Sequence, residues 1–83
     1  MPPKLNRVPQ SNREEMEVAL AHAQEVLHTV DGTGERSASI RARTERIIQD
    51  INRKGLDNFR FFDTIPFYDR LRRVDRDLEG LPA

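Results

Sequence analysis

The sequence predicts an all-α protein: an antiparallel helical hairpin followed by a shorter third helix, a small helical bundle. Three observations carry this prediction. Apolar residues recur at helical spacing in three separate segments. Glycine-bearing breaks divide those segments, at "DGTGE" (31–35) and at Gly55. Ser11, and later Asp63 or Thr64, stand where a helix start needs a capping side chain.

Residues 1–10, "MPPKLNRVPQ", hold three prolines and little pattern and read as an extended N-terminal arm. A single helical domain is expected over 11–80, with 81–83 as a tail. Ser11 lies three residues before Glu14, a capping box, and Glu14, Glu15 and Glu17 suit the positive end of a helix dipole. The first helix is expected over about 12–30. At about 100° per residue, Met16, Ala19, Leu20, Ala23, Val26, Leu27 and Val30 fall in one arc of roughly 120°, a single buried stripe that excludes Val18.

The second helix is expected over about 37–54, ending at Gly55 after the basic pair Arg53 and Lys54. Ser37, Ile40, Thr44, Ile47, Ile48 and Ile51 share one of its faces. Two helices of similar length joined by a short loop imply a hairpin with arms roughly 28 Å long. The third helix is expected over about 64–78, with Pro66 in its first turn, where proline is tolerated. Phe67, Leu71, Val74 and Leu78 line its apolar side, and Asp69, Arg73 and Asp77 form an i, i+4 ladder on the other. An aspartate at Leu27 or Ile47, each in a predicted stripe, is expected to unfold the chain.

Composition narrows the function. At 83 residues the chain is one domain, close to the size at which a single core is marginally stable and a partner often helps. There is no cysteine, which excludes disulfides and thiolate metal sites. Fourteen basic residues balance fourteen acidic ones, so any electrostatic function must be local. No apolar run approaches the roughly 20 residues of a membrane span, and "MPPKLNRVPQ" lacks the apolar core of a secretory signal. The cytoplasm is the expected compartment, with no membrane partner.

No HExxH, Walker A loop or nucleophile beside a base is present, and a chain this short rarely closes a catalytic cavity, so an enzyme is not expected. No cofactor or metal is expected either. His22 and His28, six apart, sit about 120° from one another around the helix and cannot chelate one ion from one face.

Two stretches hold binding potential. "NFRFFDTIPFYD" (58–69) contains all four phenylalanines and the only tyrosine. Phe59, Phe62 and Phe67 are expected in the core, Phe59 and Phe62 through a short helical turn, while Phe61 points away. Phe59, Arg60, Phe61 and Tyr68 form the candidate partner-binding segment, so Phe59 stands in both sets. A second protomer is the simplest cover for such a cluster, which makes a homo-oligomer the expectation.

The second stretch is basic: residues 36–62 carry seven Lys and Arg against three Asp and Glu. Arg36, Arg43, Arg46, Arg53 and Lys54 occupy roughly 100° of the second helix beside its isoleucines. Asp50 can pair with Arg46 and Lys54, and Arg41 with Glu45, leaving Arg36, Arg43 and Arg53 for the acidic first helix or a second copy. The alternative is an anion-binding surface for nucleic acid or another phosphate-bearing ligand. "GTGERS" before a helix start adds a weak phosphate signal that a tight turn explains equally well. The leading expectation is a non-enzymatic interaction protein, an adaptor, inhibitor or accessory subunit.

Overall fold

Ser11 opens the first helix as its spacing requires. Its backbone is extended (φ −152°, ψ 165°), and its Oγ accepts the Glu14 N–H at 3.1 Å. The computed structural model describes residues 11–30 and 34–81. The expected arm 1–10, most of the "DGTGE" loop and the end of the tail lie outside those residues. Helix α1 spans Asn12–Thr29, α2 Glu35–Lys54 and α3 Phe61–Glu79; among the described residues there is no strand.

Helix α2 stops where glycine is needed. Gly55 has φ 87° and ψ 134°, and a Cβ there would meet Asn58 Nδ2 at 3.0 Å. That same amide donates to the Lys54 carbonyl at 2.7 Å, satisfying one of the last acceptors of α2. A 3₁₀ turn over Leu56–Asn58 and the extended Phe59 then lead the chain into α3.

Helix α3 begins three residues earlier than the sequence suggests. Arg60 is its N-cap, extended at φ −103° and ψ 170°, and Asp63 is the third residue of the helix. The Asp63 carboxylate reaches back to accept the Arg60 N–H at 2.9 Å. An acidic side chain at a helix start can act from the cap or from the first turn, and the sequence does not distinguish the two. Pro66 accordingly falls in the second turn, where it removes the N–H that would reach the Phe62 carbonyl. Phe62, Ile65 and Pro66 are all exposed, so solvent can take that N–H's place.

The three apolar faces meet as predicted. Met16, Ala19, Ala23, Val26 and Val30 from α1 pack on Ile40, Ile47 and Ile51 of α2 and on Leu71 and Val74 of α3. Leu20, Ile48, Phe67 and Leu78 lie partly buried against them. Leu27, placed in the stripe by its angle, is only half-buried. Ser37, Thr44 and Thr64 are also buried; Thr44 donates to the Ile40 carbonyl at 2.7 Å and Thr64 to that of Phe61 at 2.6 Å, so neither hydroxyl is left unsatisfied.

Polar contacts lock the arrangement. His22 Nε2 lies 2.8 Å from both carboxylate oxygens of Asp75, tying α1 to α3. Arg13 pairs with Asp57 across the α1 start and the 3₁₀ turn. Arg41, expected to meet Glu45, donates to the Val30 carbonyl at 3.1 Å.

Candidate functional site

The early start of α3 redistributes the aromatics. Phe59 is 5% exposed, with its ring edge-on to Phe67 at 5.3 Å and the Lys54 ammonium 5.4 Å from its centroid. It is core and offers nothing to a partner, which removes it from the predicted binding segment. Phe62, expected in the core beside it, is 79% exposed. The reason is local: Phe59 precedes the helix in extended backbone, so the two rings share no helical face. On α3 itself Phe62 points about 160° away from the Phe67, Leu71, Val74 and Leu78 side.

Phe61 is exposed as predicted, at 60%, and Ile65 joins the two phenylalanines at 48%. The Phe61 and Phe62 rings meet edge-to-face at 5.4 Å, and Ile65 follows one turn later. These three are the exposed large hydrophobic residues among those described, and they form one continuous patch at the start of α3. Arg60 stands exposed at its edge.

Tyr68 leaves the predicted contact surface. Its hydroxyl turns toward α1 and donates to the Glu15 carbonyl at 3.1 Å. Burial, with a smaller contribution from the Glu15 charge, pushes its pKa up to about 12. As the folded value exceeds the unfolded value of about 10, the linked stability is complete below pH ~10 and is lost as pH rises through ~12. Tyr68 is the only tyrosine and there is no tryptophan, so ultraviolet absorbance reports it alone. The phenolate should appear near pH 12 in the folded chain and near pH 10 in denaturant; equal midpoints would place the hydroxyl in solvent.

The basic stripe of α2 faces α3, the neighbour the sequence did not suggest. Arg43 pairs with Asp77, Lys54 lies 3.8 Å from Asp63, and Arg46 and Arg53 approach Asp50 at 3.4 and 3.5 Å. Lys54 therefore takes Asp63 in place of the Asp50 expected from spacing, and Arg43 and Arg53 find their partners on α3 and α2 without the acidic first helix. Arg70 of α3 reaches the same Asp50 at 3.1 Å. Burial raises the Asp50 pKa, but the hydrogen bond and charge of Arg70, with Arg46 and Arg53, outweigh it and hold the carboxyl below its usual range. Of the predicted ladder, Arg73 pairs with Asp69 at 3.2 Å, while Asp77 turns to Arg43.

Sequence reasoning placed Arg73 only in the α3 ladder and did not bring it, Arg70 or Arg76 beside the basic stripe of α2, where all three lie. Their i, i+3 recurrence within "RLRRVDR" was the available signal. His28 is exposed and far in role from His22, and no group of three metal-ligating side chains occurs among the described residues. No described helix is long and apolar enough to cross a membrane. Comparison with protein-family models, with curated proteins and with solved structures found no match, so function rests on the two surfaces above.

Proposed function

We propose that this is a small non-enzymatic interaction protein of the cytoplasm, an adaptor, inhibitor or accessory subunit, that self-associates through Phe61, Phe62 and Ile65. The observation that supports this reading is the confinement of every exposed large hydrophobic side chain among the described residues to one patch. Scattered apolar residues are ordinary on a surface, whereas contiguous aromatics mark an interface.

Magnitudes favour a second copy as the occupant. Completing the burial of these three side chains, scaled by their exposure, contributes roughly 3–6 kcal/mol. An isologous dimer buries the patch twice and gains roughly twice that, within the range of the ~4–15 kcal/mol that association costs. The expected species is a dimer that dissociates on dilution and is insensitive to salt. Light scattering across a dilution series should show this for the wild type and a monomer for Phe62→Glu, with equal helicity in both. A wild-type chain that stays monomeric throughout would overturn self-association and move the reading to a different protein; equal capture of that protein by wild type and Phe62→Glu would then remove the patch.

A further inference from the structure

Away from the aromatic patch, two half-open cavities lie in series between α2 and α3. One, of about 330 Å³, is walled by Arg36, Arg43 and Arg76, with Asp77 and Ser39 beside them. The other, of about 190 Å³, is walled by Arg43, Arg46, Arg70 and Arg73. Arg43 belongs to both, so the two form one groove with six arginines and a single carboxylate in its walls. Its floor is apolar, made by Ile40, Ile47 and Val74, each buried.

The internal ion pairs offset this charge only in part. Asp77 engages Arg43, Asp69 engages Arg73, and Asp50 is shared among Arg46, Arg53 and Arg70. Arg36 and Arg76, which both line the larger cavity, make no ion pair with any described residue. At that end the N-terminus of α2 meets the C-terminus of α3, so the two helix dipoles offset each other and the guanidinium charges set the field. An apolar floor beneath them weakens screening and strengthens attraction for an anion.

We propose that this groove binds the phosphodiester backbone of a nucleic acid. From Arg36 to Arg46 the helix rises about 15 Å. A single phosphate occupies one cavity, whereas a chain of phosphates reaches the unpaired arginines at one end and the Arg46, Arg70 and Arg73 group at the other. Guanidinium groups suit this task because their planar donors pair with two phosphate oxygens at once. The near-zero net charge of the chain confines the attraction to this face, so binding depends strongly on salt and carries no sequence preference.

The test is fluorescence anisotropy with a labelled oligothymidylate of about 15 nucleotides and a duplex of similar length, alongside competition by inorganic pyrophosphate. If about three phosphates are neutralised, affinity for the single strand should fall about 100-fold between roughly 20 and 200 mM salt. Arg36→Gln with Arg76→Gln should weaken low-salt binding about tenfold. Thermal melting should be unchanged, because neither residue makes an ion pair with a described residue. Arg72→Gln, exposed and outside the groove, should bind as the wild type does. Phe62→Glu should also bind normally, which separates this groove from the association patch.

Absence of binding at low salt would overturn the proposal, as would a double variant that binds like the wild type. Equal loss in Arg72→Gln would show non-specific attraction. Pyrophosphate binding as tightly as the 15-mer would assign the groove to a small phosphate ligand and remove the backbone reading.

Discussion

Replacing Phe59 with alanine is expected to cost about 3–5 kcal/mol of stability, whereas Phe62→Ala, three residues on, should stay within about 0.5 kcal/mol. The contrast follows from exposures of 5% and 79%. Phe59 fills the junction between the 3₁₀ turn and the bundle, with Phe67 edge-on to it and Lys54 over its face. Its removal leaves a cavity in a segment held at one end by Gly55 and at the other by the helix start, so relaxation into the void is restricted. A domain of this size has about 4–12 kcal/mol in total, so the Phe59 variant should lose about a quarter of it or more. Urea melts followed by circular dichroism, at concentrations below any self-association, give the comparison. Similar losses in both variants would mean that Phe62 packs inward and that the exposed patch does not exist.

Ile51→Asp is expected to abolish the fold. Ile51 is 0% exposed within the apolar core and lines neither arginine cavity. A carboxylate there is either charged without a partner or protonated at a cost of several kcal/mol, comparable to the whole stability of the domain. Ile47→Asp, which the buried stripe alone predicts to unfold the chain, should instead be the milder change, although Ile47 is equally buried. Its side chain lines the cavity walled by Arg43, Arg46, Arg70 and Arg73, so a carboxylate can turn toward guanidinium groups. Circular dichroism should show a largely unfolded Ile51→Asp chain and a destabilised but helical Ile47→Asp chain. The reverse order would contradict the placement of the arginine groove over Ile47.

The helices and their inward faces were legible because periodicity is a property of the local chain. Ser37, Ile40, Thr44, Ile47 and Ile51 lie on one side of any α-helix that contains them, whatever packs against it, and all five are buried. Gly55 was legible for a similar reason, since a positive φ selects glycine without reference to tertiary contacts. The start of α3 was not, because Asp63 serves equally well as a cap or as a first-turn acceptor. That shift of three residues carried Phe62 from the expected core to the surface and put the proline in the second turn.

The candidate surfaces were only half legible. Spacing identified the basic edge of α2, and a Lys or Arg four residues from an aspartate suggests a pair within the helix. Lys54 shows the limit of that rule: Asp50 was available on its own helix, and the salt bridge forms with Asp63 of the next. Partner choice among exposed charges is decided by small energy differences that spacing does not resolve. The arginines of α3 joined the groove for the same reason, through the antiparallel placement of two helices.

By itself the sequence determined three helices, their buried stripes and the glycine that separates the second from the third. These follow from backbone preferences and apolar periodicity, which act within a few residues. The local choice of where α3 starts put Phe62 on the surface, and only the tertiary structure decided that Tyr68 turns inward to α1 and that arginines from two helices line one groove. Those outcomes depend on how helices of known faces are set against one another, and the energies that set them come from contacts between residues distant in the chain.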